Sequence, residues 1–167
     1  MTKGLLLALA LFMLLPLAAT ADDSLAKFDG GIGVIPVSSG VGQGATAEVV
    51  NRNIVRGVQP PGQLWVIADL KADVKTDGRI QVEGRGLLLA GGNNIGTNAN
   101  QSVRATLLCA NDGNVLHDTR LVPLALNGDF LIDDVLSPAP PNPCTSAVLL
   151  IRNPAGAWFA AGIPKLD

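Results

Sequence analysis

The chain holds one histidine, two cysteines and no tyrosine, so the chemistry open to it is narrow. A Ser, His and acid triad would have to be built on His117. That residue sits beside Asp118 in a short segment and shares the parity of Val115, and nothing at local spacing supplies a nucleophile or oxyanion donors. A structural or merely exposed imidazole is therefore expected. Asp133 and Asp134 are adjacent, but on a strand successive side chains point to opposite faces, so they cannot share a proton as a catalytic dyad does. Solvation at a strand end is their expected role, and no catalytic residue is assigned.

Cys109 and Cys144 are expected to form a disulfide, because both fall in the part of the chain that reads as exported to an oxidising compartment. A two-thiolate metal site would need more imidazole than His117 can supply, so no metal and no cofactor are expected. The segment Gly91 to Ser102 is rich in glycine and asparagine. Its amides at Asn93, Asn94, Asn98 and Asn100 could coordinate calcium or hydrogen-bond a sugar, and they form the candidate ligand-binding set. The loop carries no carboxylate, whereas calcium sites usually need several, and Gly and Asn also serve plain turns. Asn100-Gln101-Ser102 matches a glycosylation sequon. Glycan rings are commonly read by exposed aromatic platforms, yet Trp65 and Trp158 lie in apolar segments that point to the core.

The elements that must hold these residues read as strands. Gly, Pro, Val, Ile and Leu abound, and after residue 21 no stretch keeps apolar residues at helical spacing over three turns. From Leu64 to Lys75 one parity is apolar throughout while the other turns from Trp65 and Ile67 to Asp69, Lys71, Asp73 and Lys75. Ile80 and Val82 then alternate with Arg79, Gln81, Glu83 and Arg85, where Glu83 reads as part of a solvated face with cross-strand charge pairing. The two segments read as a hairpin pairing Val74 with Ile80 across Thr76-Asp77-Gly78, a turn whose glycine takes the left-handed conformation.

The same turn chemistry recurs at Asn111-Asp112-Gly113, Leu126-Asn127-Gly128 and Pro154-Ala155-Gly156, which would pair Cys109 with Val115, Leu124 with Phe130 and Arg152 with Trp158. Further candidate strands are Ile32 to Val37, Ala45 to Val50, Asn53 to Val58, Ser102 to Ala110, Asn114 to Thr119, Leu121 to Leu126, Asp129 to Leu136, Ala147 to Arg152 and Ala157 to Gly162. Ala147 to Arg152 is apolar on both parities and reads as a central strand. The proline-rich spacer Ser137 to Pro143 cannot be one, and should cross the fold with Cys144 pinning its end. About nine or ten strands with frequent turns imply an all-β, antiparallel β-sandwich of meander or Greek-key hairpins, with a closed β-barrel as the alternative.

Residues 1–21 follow the layout of a cleaved signal peptide: Lys3, an apolar run from Leu5 to Leu15, then small residues ending Ala19-Thr20-Ala21. The run is shorter than the roughly 20 residues that span a bilayer, and no cysteine follows to carry a lipid anchor. One domain over residues 22–167, secreted or periplasmic, is expected. Without Lys3 it has 11 basic against 14 acidic residues, a formal charge of −3 with no basic patch. Nucleic acid and membrane are therefore discounted as partners.

The runs Ile54-Val55-Arg56-Gly57-Val58, Pro61-Gly62-Gln63-Leu64-Trp65-Val66-Ile67, Asp77-Gly78-Arg79, Gly128-Asp129-Phe130, Ala147-Val148-Leu149-Leu150-Ile151-Arg152 and Trp158-Phe159-Ala160-Ala161-Gly162 resemble a type of small exported bacterial β-domain. The resemblance covers about residues 54 to 162. It implies a single secreted β-domain of bacterial origin and brings no activity or functional residue with it. The expected function is an exported, non-catalytic domain binding a macromolecular partner or a surface polymer through a face or edge strand. The alternative is a small-ligand or calcium module, conceivably hydrolytic, built on the loop 91–102.

Overall fold

Alternation of buried and exposed side chains, with glycine at the turns, builds the strands over 69–75, 79–85 and 130–135, whereas those over 102–108 and 148–152 are buried on both faces along most of their length. The computed structural model describes residues 23–41 and 49–165, so the leader 1–21 and the start of the candidate strand 45–50 lie outside the described residues. The strands in chain order are β1 Ser24–Gly33, β2 Val37–Val41, β3 Val49–Arg52, β4 Trp65–Val66, β5 Asp69–Lys75 and β6 Arg79–Arg85. They continue as β7 Leu88–Leu89, β8 Ser102–Leu108, β9 His117–Asp118, β10 Val122–Pro123, β11 Phe130–Val135, β12 Val148–Arg152 and β13 Trp158–Pro164. One nine-stranded sheet runs β10-β8-β12-β13-β1-β5-β6-β11, with β9 also on β8, and β2/β3 and β4/β7 form two small ribbons. Every pairing between these strands is antiparallel.

The fold is all-β, as the patterning implies, and its main sheet curls into a half-barrel around its own core. That core gathers Phe28, Leu70, Val74, Ile80, Val82, Leu107, Ile132, Leu149 and Ile151 from strands on both halves of the curl. The curl thus encloses apolar surface that a sandwich would bury between two sheets and a barrel by closure. Its two ends are drawn together where Asp118 of β9 exchanges backbone hydrogen bonds with Ser137, just past β11.

The hairpin β5/β6 forms with Val74 opposite Ile80 and Gly78 at φ 86°. Arg152 stands opposite Trp158 at the β12/β13 turn, where Gly156 has φ 90°. β12 is the central strand expected, between β8 and β13. Both its faces are buried, with Leu149, Leu150 and Ile151 all in the core, and segment 53–60 lies against the neighbouring β13, where Trp158 Nε1 donates to Asn53 O at 2.9 Å and Trp158 N to Gln59 O at 3.1 Å. Trp65 is also buried, stacked on Phe159 with ring centroids 4.0 Å apart. Neither tryptophan is an exposed platform.

Several elements differ from the sequence reading. The expected strand Asn53 to Val58 is a tight turn, with Val55 and Val58 exchanging backbone hydrogen bonds around Arg56 at φ 47° and Gly57 at φ 85°. The segment Leu64 to Lys75 breaks into β4 and β5, which pair with different strands. The buried side switches between them, from Trp65 to Leu70, Ala72 and Val74. The first strand begins at Ser24, well before Ile32, because Gly30-Gly31 forms a bulge inside β1 where the sequence suggested a break. At 109–116 a short 3₁₀ turn over Ala110–Asp112 replaces most of the ladder, although β9 keeps the expected offset with Leu107 opposite His117.

The turn Leu126-Asn127-Gly128 also forms, but its arms diverge: β10 joins β8 and β11 joins β6. The Ala125 N–H still donates to Asp129 O, but Leu124 N turns to Gln101 O, and the buried Asn98 amide donates to Leu124 O and Ala125 O at 3.1 Å each, tying this arm to the loop before β8.

Cys109 and Cys144 form the expected disulfide across 35 residues, tying the end of β8 to the proline-rich crossing. Loop closure on this scale removes about 4 kcal/mol of denatured-state freedom. Reduction with the pair then blocked should lower the unfolding free energy from chemical denaturation by about that amount, and an unchanged free energy would show that the bridge constrains nothing.

Candidate functional site

His117 is buried in β9, where both ring nitrogens meet acceptors: Nδ1 lies 2.8 Å from Pro138 O and Nε2 lies 2.6 Å from Asp112 Oδ2. The ring is thus held at both nitrogens, between a backbone carbonyl and a carboxylate. Burial works against charge on Asp112, but the bond from His117, with support from the Val115 and Asn114 amides, holds its carboxyl below the ordinary range. Among the described residues the ring's two bonds go to oxygens of Pro138 and Asp112 and none to a hydroxyl or thiol. Sγ of Cys109 is near, but a sulfur in a disulfide is not a thiolate ligand. The cluster joins the 3₁₀ turn, β9 and the proline crossing as a clamp.

Beside it stands a second charged group. Register places Arg104 of β8 directly opposite Arg152 of β12, with Thr106 one step along and Asp118 opposite Thr106. Asp118 receives Thr106 Oγ1 at 2.6 Å and Arg152 Nη1 at 3.2 Å, and Arg104 Nη1 lies 3.6 Å away. One carboxylate thus serves two guanidiniums, and the Arg104 Nε–H is buried with no partner among the described residues. Thr106 is fully buried and its hydroxyl is spent on Asp118, so it cannot reach a substrate.

Asp133 and Asp134 do point to opposite faces, but only Asp133 is simply solvated. Asp134 accepts from the Arg120 backbone N–H at 2.8 Å and from its guanidinium Nη2 at 2.9 Å, holding the β9–β10 link against β11. The Arg120 bond is the main reason its pKa falls to about 2. A carboxyl depressed on folding stabilises the native state fully above its unfolded pKa near 4 and loses that contribution as pH falls toward 2. Asp134→Asn should therefore flatten stability between these limits in acid denaturation, and an unaltered acid limb would sink the assignment. Glu83 lies on the exposed face opposite Lys71 of β5, as expected, and also accepts from Arg85 on its own strand, Nε to Oε1 at 3.0 Å.

The asparagine loop does not assemble a ligand cage. Asn98 is consumed by the carbonyls of residues 124 and 125 and by the Asn100 amide, which donates to its Oδ1 at 3.0 Å. Asn93, Asn94 and Asn100 are exposed. Asn98 is thus a structural residue of the loop, which the Asn-rich composition did not distinguish from its neighbours.

What the fold does create is an open trough of about 430 Å³ on the outer face of β1, β5 and β6. Two cross-strand rows floor it or flank it: Lys27, Asp73, Gln81 and Asp133 in one, and Asp29, Lys71, Glu83 and Leu131 in the other. Charge sign alternates from Asp29 to Lys71 to Glu83 in the second row, the first passes from Lys27 to two acids separated by Gln81, and Leu131 is 66 % exposed at the end of its row. The sequence showed each strand's polar side, but only the register shows that these sides line up. The chain matches no protein-family model, no curated protein and no solved structure.

Proposed function

We propose that the chain is an exported, non-catalytic binding domain whose partner is a macromolecule or surface polymer lying along the outer face of β1, β5, β6 and β11. The observation that carries this reading is the pair of cross-strand rows, which set charged, amide and apolar groups at strand spacing on one rigid floor. A preformed sheet face binds with little ordering cost, and charges of both signs at strand spacing reward a partner with polar groups at a matching repeat. Occupation of His117 and Thr106 by structural bonds supports a domain that holds rather than transforms its partner.

Biolayer interferometry against immobilised neutral and charged polysaccharides tests the proposal, with Gln81→Glu and Leu131→Asp as variants on the trough floor. Binding that both variants weaken while melting stays unchanged is the supporting result. Turnover of ester, glycoside or peptide substrates that disappears in His117→Gln would overturn it, as would binding indifferent to both variants.

A further inference from the structure

We infer that a second cleft, formed where the turn 55–58 meets the β12/β13 turn, binds an anionic oxygen group, a carboxylate or a phosphate. The inference is independent of the trough, which lies on other strands. The cleft measures about 460 Å³ and is lined by Arg56, Gln59, Asn114, Leu116, Arg152 and the 155–157 turn. That volume suits a ligand on the scale of a sugar acid or a small phosphate ester.

Both guanidiniums hold donors in reserve. Arg56 gives Nη1 to Asn114 Oδ1 at 3.0 Å and to Leu108 O at 3.5 Å, and Nη2 to Ser146 O. All three acceptors are neutral, so this half-buried charge meets no carboxylate among the described residues. Arg152 gives Nε to Gly156 O at 3.0 Å and Nη1 to Thr106 and Asp118. Its Nη2 donates to nothing among the described residues. Nη2 lies 2.9 Å from where a side chain on Gly156 would begin, so glycine leaves it uncovered.

Charge balance points the same way. Among the described residues Asp118 is the single acid bonded by this arginine group, it is shared by Arg104 and Arg152, and Arg104 Nε is buried with no partner. A cleft walled by guanidinium forks with spare N–H groups matches the planar, bidentate geometry of carboxylate and phosphate. Arg56 also holds a left-handed backbone at φ 47°, a conformation that costs free energy in a non-glycine residue and that places its side chain in the cleft.

Isothermal titration of the purified protein at low ionic strength, with D-galacturonate, inorganic phosphate and neutral D-galactose as the probes, tests the inference. Heat from galacturonate or phosphate, none from galactose, and affinity that falls with added salt is the expected result, and the better anion names the source. Arg56→Gln should weaken binding by about tenfold or more. Because Arg56 also ties three segments together, Ala155→Asp gives an independent variant: it sets a negative charge on the exposed lip without touching any guanidinium bond, and should weaken binding by a similar factor. Galactose binding as well as galacturonate, no heat from either anion, or affinity untouched by both variants would each overturn the site.

Discussion

Replacing Gly128 by valine should cost on the order of 4 kcal/mol or more, a large part of the stability of an ordinary domain. Two effects coincide at this position. Gly128 has φ 82°, a region that valine reaches only with strain. A Cβ there would also stand 2.6 Å from both Leu87 N and Leu87 O, which are backbone atoms within a close crossing and cannot swing aside as a side chain tip can. The crossing is also a bonded one, since Leu87 N donates to Gly128 O at 3.0 Å. Gly113→Val isolates the first effect, because its φ is 76° but nothing lies within 4 Å of its would-be Cβ. The loss there should be about 1–2 kcal/mol. Urea unfolding of the two variants compares them directly, and equal losses would mean that the Leu87 contact does not constrain the fold.

Asp118→Ala should cost about 3 kcal/mol, the low end of the range for removing one member of a buried ionic group, because Asp118 and Arg104 keep about a quarter of their side-chain surface exposed. The loss is less about the bonds themselves than about what remains: Arg104 and Arg152 would face each other across β8 and β12 with no counter-charge, and Arg152 is 11 % exposed at its side chain. The Thr106 hydroxyl, itself fully buried, would lose its acceptor. Asp118→Asn keeps the shape and an acceptor oxygen while removing the charge, so it should fall between wild type and alanine. Guanidinium salts would screen the charges under study, so urea is the appropriate denaturant. A loss below about 1 kcal/mol for alanine would place the group with ordinary exposed ion pairs, which contribute little.

Legibility in the sequence followed distance along the chain. The Val74–Ile80 register was readable because three turn residues and a two-residue alternation fix it locally, and a slip would turn Leu70 and Val82 outward. The disulfide was readable because the chain offers one pair. Arg56, by contrast, looked like part of a strand because valines flank it on both sides, and its left-handed turn follows from a Val55–Val58 bridge packed against β13. Asn98 was indistinguishable from Asn93 and Asn94 until carbonyls 26 and 27 residues away took its amide. Asp134 read as solvated for the same reason, since Arg120 reaches it only when the ends of the sheet meet.

The sequence by itself determined the all-β class, the polar and apolar sides of the long strands, the positions of the glycine turns and the cysteine pair. Each of these rests on backbone sterics and side-chain alternation over a few residues, or on a count. The tertiary structure decided that β1 joins the two hairpin groups, that the sheet curls until Asp118 meets Ser137, and that Arg104 and Arg152 share one aspartate beside the cleft of Arg56. Those outcomes depend on which strands pair across tens of residues, a choice made by burying the whole apolar surface at once rather than by any segment's own preference.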